Sequence, residues 1–124
     1  MSGMSGGAAG GMSGDVAAAI AAAQAAAIAA GLGVGQTWQN MTGSRQVNTN
    51  YVNTTGKPIM VAVDFSAGGG TSWTSLIVNS VEVGHPAAYS SAGGSQCGVR
   101  AIVPSGGTYS FNGGPSLAFV MELR

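Results

Sequence analysis

Charged side chains make up only 6% of the 124 residues, against about 25% in typical soluble domains. Four basic and four acidic residues leave a formal net charge of zero. That balance removes the electrostatic basis for binding nucleic acid or an anionic membrane. There is a single cysteine, Cys97. It excludes an internal disulfide and a cysteine-built metal site, and reads as a small buried hydrophobe. The first residues carry no basic n-region, so no secretory signal is expected. The Ala-rich run Val16–Ala30 is too short and too weakly apolar for a membrane span. The acids are Asp15, Asp64, Glu82 and Glu122, and the single histidine is His85. A Ser-His-Asp set is possible on composition alone, but no nucleophile elbow or oxyanion motif accompanies it. The glycine clusters Gly68-Gly69-Gly70 and Gly93-Gly94 match no phosphate-binding pattern. The expectation is a protein that is not an enzyme and uses no cofactor or metal. A monomer this poor in charge is prone to associate, and obligate oligomerisation would turn much of its surface into interface.

What the chain does contain is alternation. In KPIMVAVDF, Lys57 to Phe65, the residues Ile59, Val61, Val63 and Phe65 point one way, while Met60, Ala62 and Asp64 point the other. Pro58 stands at the start, where a missing N–H does least harm. The predicted strands are 36–40, 47–53, 58–65, 74–78, 81–83, 96–103, 108–111 and 117–123. Asn79-Ser80 reads as a tight two-residue hairpin turn. Cys97, Val99, Ala101 and Val103 share one face. So do Leu117, Phe119, Met121 and Leu123, while Ala118 and Val120 leave the other side of that strand apolar too. A strand apolar on both sides points to burial by a second sheet and by a neighbouring subunit. The expected fold is mainly β, an antiparallel two-sheet β-sandwich of the jelly-roll or knob kind.

Three segments follow. Residues 1–14, rich in Gly, Ser, Met and Ala, read as a flexible linker or a cloning remnant. Residues 15–32 read as a helix with Asp15 as N-cap and Gly31 and Gly33 as stops. Residues 33–124 form the β domain. An Ala-rich helix this short does not hold alone in water. Val16, Ile20, Gln24 and Ile28 recur every four residues. Self-association into a helical bundle around a symmetry axis, with Gln24 as a polar layer setting register as polar core residues do in coiled coils, is one solution. A short helix lying on its own β domain is the other.

A count of chain reversals sorts the loops. If the strands run antiparallel, the connections 41–46, 66–73, 84–95 and 112–116 fall at the end away from the helix. The tight turns 54–57, 79–80 and 104–107 fall at the helix end. Long loops gathered at one end of a rigid scaffold are where binding concentrates. Trp73, His85 and Tyr89 belong to that end and are the candidate receptor contacts. His85 reads as an exposed loop residue, a receptor contact, or a metal ligand on a three-fold axis. Trp73 and Tyr89 either pack on the base of their own loop or meet a ligand. Asn40-Met-Thr and Asn53-Thr-Thr match the glycosylation sequon, but with no secretory signal they are set aside. Arg45, Lys57, Arg100 and Arg124 do not cluster in the sequence.

Several motifs are shared with a known family. They are Gly35-Gln36-Thr37-Trp38-Gln39, Tyr51-x-Asn53-Thr54-Thr55-Gly56-x-Pro58-Ile59, Val78-Asn79-x-Val81, Val103-Pro104-x-Gly106-x-x-Tyr109 and Glu122-Leu123. Over residues 33–124 this pattern resembles the C-terminal knob of tail-fibre and tail-needle proteins of tailed bacteriophages and prophages. It departs at Val120, where an aromatic is expected two residues before the acid. The resemblance implies a homotrimeric β-sandwich at the tip of a virion fibre, behind a helical or coiled-coil stalk. Its implied partners are a host cell-surface glycan or outer-membrane protein and the other virion tail proteins, with no nucleic acid and no membrane span. Its implied role is host attachment and receptor binding. The alternatives are a needle knob that plugs or penetrates the envelope, and a trimeric lectin-like module outside phage. The family's shared motifs are structural, so no catalytic residue carries over.

Overall fold

Alternation in the sequence becomes two antiparallel sheets. A computed structural model of the chain describes residues 14–66, 70–90, 96–113 and 116–124. Helix α1 (Gly14–Ala29) is followed by β1 (Trp38–Asn40), a 3-10 turn (Thr42–Ser44), β2 (Asn50–Val52), β3 (Ile59–Ser66) and β4 (Gly70–Val78). After these come β5 (Val81–Gly84), β6 (Ala87–Ser90), β7 (Gln96–Val103), β8 (Thr108–Gly113) and β9 (Ser116–Leu123). One sheet has the order β1-β9-β3-β7. The other has β2-β8-β4-β5, with β6 also on β4. Both β5 and β6 run antiparallel to β4, separated only by His85 and Pro86, so they act as one strand with a break. Taken so, the pairs nest: β1 with β9, β2 with β8, β3 with β7, β4 with β5 and β6. A long hairpin rolled up with this nesting is a jelly roll. The two-sheet sandwich behind a short helix is therefore the fold of this chain.

β3 is the middle of the first sheet, paired with β9 on one side and β7 on the other. Its inward residues Ile59, Val61, Val63 and Phe65 are fully buried. Leu76, Val78, Val103, Tyr109, Phe111 and Val120 complete the core. Each such side chain contributes about 1.5–3 kcal/mol by leaving water, so β3 supplies the largest share from any single strand. Val120 lies opposite Val63 in that core.

The turns at the helix end follow their chemistry. Asn79 and Ser80 both have positive φ, 51° and 66°, the signature of a type I′ hairpin turn. Asn53 is buried and ties two turns together. Its Nδ2 donates to the carbonyls of Lys57, Val103 and Pro104 at 2.6, 3.1 and 3.1 Å. Its Oδ1 accepts from the Thr55 amide and hydroxyl. The Asn53 sequon is thus a buried structural amide, with its nitrogen committed to backbone.

Three local expectations change. Helix α1 starts at Gly14, so Asp15 lies in its first turn, where its charge faces the positive end of the helix dipole. The rest of the expected linker, residues 1–13, lies outside the described residues. No residue of α1 is buried, so the helix does not lie against its own β domain. In β9 the register shifts between Asp64 and Phe65 of β3. The shift turns Leu117 toward the core, while Phe119 and Met121 stay on the outer face.

Candidate functional site

Along β4, the residues Thr74, Leu76 and Val78 are buried, which puts Trp73, Ser75 and Ile77 on the outer side. The Asn79–Ser80 turn sends β5 back along this edge, with Glu82 opposite Ile77. Gly84 then lies opposite Leu76. A Cβ on Gly84 would stand 2.2 Å from Val99 Cγ2 of the other sheet, so only glycine lets the strand pass there. Pairing resumes through the Thr74 amide, which donates to the Pro86 carbonyl at 3.1 Å. Trp73 then faces Ala87, and Thr71 faces Tyr89.

This path gathers Trp73, Ser75, Glu82 and His85 into one corner. The His85 ring stacks on Trp73, with centroids 4.9 Å apart and planes 13° from parallel. Ser75 Oγ donates to Glu82 Oε2 at 2.6 Å. His85 Nδ1 lies against the same carboxylate oxygen and 3.2 Å from Ser75 Oγ. The hydrogen bond from Ser75, then that from His85, hold the Glu82 carboxyl below its ordinary pKa. Serine and carboxylate thus meet the same ring nitrogen. A hydrolytic relay needs the ring between them, one partner on each nitrogen. This arrangement instead fixes the ring plane against the indole.

The corner offers flat apolar surface with acceptors at its edge. Trp73 is 51% exposed and Tyr89 66%, on the same side of the β4–β6 ribbon. Asn112 is paired with Ser75 across β4 and β8, and its Oδ1 is buried without a hydrogen-bond partner. Aromatic faces accept the C–H side of a sugar ring or an apolar side chain, and the half-exposed Glu82 carboxylate can accept hydroxyls. His85 Nδ1 is committed to Glu82 and Ser75. Among the described residues, no group of three His, Cys, Asp or Glu side chains is placed to hold a metal.

Trp73, His85 and Tyr89 are therefore on one edge of one sheet, with Trp73 and His85 in direct contact. Trp73 and Tyr89 sit in strands rather than the long loops expected of them. Gly, Ser and Ala at 70–72 and 87–90 suggest loops, but pairing of Gly70–Trp73 with Ala87–Ser90 makes a ribbon. The connections 67–69, 91–95 and 114–115 lie outside the described residues. The expected stalk residues Val16, Ile20, Gln24 and Ile28 are all exposed on α1.

A second cluster, between the sheets, was not visible in the sequence. Glu122 is fully buried. Arg45 Nε and Nη2 donate to its two oxygens at 2.8 and 3.1 Å. Tyr109 Oη donates at 2.8 Å, and Arg124 Nη1 at 2.5 Å. Burial alone raises the carboxyl pKa, but the hydrogen bonds from Arg45, Tyr109 and Arg124 outweigh it and hold Glu122 below the usual range. Burial, then the Glu122 contact, pushes Tyr109 up to about 12. The Arg45 guanidinium also lies 4.7 Å from the centre of the Tyr51 ring. Two of the four basic residues thus converge on one acid, and the cluster joins the β1–β2 crossover to β8 and β9.

No family model, curated protein or solved structure matches this chain.

Proposed function

We propose that this chain is the homotrimeric tip of a tailed-phage tail fibre, a virion protein that attaches to a host cell-surface glycan through the Trp73–His85 corner. The observation that carries the reading is the polarity of the domain. Helix α1, with no residue buried, leads into β1, whose Trp38 lies beside Leu123. Leu123 in turn neighbours Met60, at the end of β3 that holds the Asn53 and Pro104 turns. Trp73 and Tyr89 lie toward the other end, where β4 begins and β6 finishes. A stalk at one end and rigid exposed aromatics toward the other suit a contact made at a tip. Three such sites on one trimer gain by avidity what a single shallow site lacks.

The resemblance to tail-fibre and tail-needle knobs supports the virion setting, and the aromatic corner favours attachment over a plugging role. The same corner favours a lectin-like module outside phage as the second reading. The test is binding of the fluorescently labelled full chain to a panel of bacterial cells and to a glycan array. Retention on particular bacterial surfaces, lost with Trp73→Ala, is the expected result. Binding only to array glycans foreign to bacterial surfaces favours the second reading. No binding to either overturns attachment.

A further inference from the structure

The outer face of the β1-β9-β3-β7 sheet is apolar over most of its width. Its outward positions are Met60, Ala62 and Asp64 on β3, then Arg100 and Ile102 on β7, and Phe119, Met121 and Leu123 on β9, with Trp38 on β1. Trp38 is 48% exposed, Phe119 44% and Ile102 53%. Trp38, Ala62, Asp64, Arg100, Phe119 and Met121 line a hollow of about 220 Å³. Exposed large apolar groups on one face mark a contact surface.

Within this face stand one acid and one base. Arg100 lies opposite Ala62, and Asp64 lies opposite Gly98, so the two are diagonal neighbours on adjacent strands. A Cβ on Gly98 would stand 2.2 Å from Asp64 Oδ1. The carboxylate lies down over the glycine, at the wall of the hollow. Arg45 and Arg124 bind Glu122, and Lys57 reaches the Val34 carbonyl. Among the described residues, Asp64 and Arg100 enter no ion pair.

We propose that this face is where copies of the chain meet, with Asp64 of one copy paired to Arg100 of the next across an apolar seam formed by Trp38, Phe119, Met121 and Ile102. The occupant is a second copy because a second copy already carries the matching charges. In a closed ring each contact joins two different parts of the surface, so Asp64 of one copy meets Arg100 of the next and every copy supplies both halves of the pair. A foreign partner needs its own acid and base placed to match. The chain's zero net charge leaves no long-range repulsion between copies. Trp38 also continues the face toward α1, so packing through it brings the exposed helices of neighbouring copies to the same side. The inference rests on the oligomeric part of the reading above and names its surface.

The test is the mass of the full chain by light scattering across micromolar concentrations, for Asp64→Arg, Arg100→Asp and the double exchange. Each single reversal sets like charges together, and the dissociation constant is expected to rise about tenfold or more. The double exchange is expected to restore it. Phe119→Lys, which leaves the pair intact, is expected to dissociate the oligomer with its melting transition retained. The inference is overturned if both reversals and Phe119→Lys keep the wild-type mass. If Ile20→Asp with Ile28→Asp then dissociates it, the helices hold the oligomer, and the fibre-tip reading stands without this face. A wild-type chain that is monomeric throughout overturns the inference and the trimeric tip together, while cell binding by that monomer still preserves attachment.

Discussion

The two outer faces of the sandwich stand on one core and differ in how their apolar and polar groups are arranged. Outward from β3, β7 and β9 come Met60, Ala62, Ile102, Phe119 and Met121 around a single Asp64 and Arg100. Outward from β2, β4, β5 and β8 come Asn50, Val52, Ser75, Ile77, Glu82, Ser110 and Asn112, with Trp73 at one margin. The first face is broad, with a hollow between Trp38, Arg100 and Phe119, and its aromatics are spread among aliphatic neighbours. The second mixes Val52 and Ile77 with its polar groups, and its exposed indole is pinned by a stacked imidazole. On the second face Asn50 and Glu82 stay exposed, while Ser75 is buried beneath its hydrogen bonds to Glu82 and His85. A face that exposes Trp38, Phe119 and Ile102 together is stabilised by being covered. That difference is the ground for assigning the proposed copy contact to the first side and the proposed ligand contact to the second.

If both faces depend on the shared core, a variant of the core must damage both. Glu122→Gln is expected to cost the most, about 3 kcal/mol, because it leaves Arg45 and Arg124 without their carboxylate inside the sandwich. Urea unfolding followed by tryptophan fluorescence measures it. The sign of the pH dependence follows from the lowered Glu122 pKa. Its contribution is complete above the ordinary carboxylate pKa and is lost as pH falls below it toward the native value. In acid, wild type and Glu122→Gln are therefore expected to converge in stability. Equal stabilities at neutral pH would show that the cluster does not support the sandwich.

Asn53→Ala comes next, at about 2 kcal/mol, since several backbone contacts of the two turns lose their buried amide. Hydrogen exchange of residues 53–57 and 104–107 is expected to quicken first, before either outer face responds. Protection unchanged in those turns would remove Asn53 from this role.

The alternation in β3, the Asn79–Ser80 turn and the two-sided apolar character of β9 were all legible in the sequence. Each is local, written within a few residues of one strand or turn. The alternating strand directions followed from counting reversals, and survived because β5 and β6 run in the same direction; the nested pairing did not follow from the count. The missing strand itself was not legible, because Ala87–Ser90 becomes a strand only by pairing with Gly70–Trp73. The buried acid was hidden for a related reason. Arg45 and Glu122 are 77 positions apart, and only the two-sheet packing brings them together. Trp73, His85 and Tyr89 stood out as aromatic and titratable residues in small-residue surroundings. Ser75, Glu82 and Asn112 carried no such signal, since register alone puts them beside the ring.

Tyr109 gives a smaller effect and a second pH limb. Tyr109→Phe removes the hydroxyl that donates to Glu122 and is expected to cost about 1.5 kcal/mol at neutral pH. The phenol is pushed up to about 12, above its ordinary value of 10.0. A raised native pKa gives stability that is whole below pH 10.0 and is lost as pH rises toward about 12. Ultraviolet titration is expected to show one tyrosine ionising near the top of that window, and Tyr109→Phe is expected to remove that step. A step that remains in the variant would belong to another tyrosine.

The smallest effect on stability is the sharpest test of the contrast between the faces. Trp73 is half exposed, stacks on His85 and sits outside the core. Trp73→Ala is therefore expected to change the unfolding free energy by no more than about 0.5 kcal/mol, while lowering retention on cells or glycans at least tenfold. Trp38→Ala, on the apolar face, is expected to do the reverse, weakening association while leaving glycan retention per site unchanged. The pair works because both residues are exposed tryptophans of similar area, so their shared chemistry cancels and only position remains. If Trp73→Ala weakens association and Trp38→Ala weakens retention, the two faces exchange roles. If each variant weakens both, ligand binding requires the assembled oligomer, and the two faces act as one site.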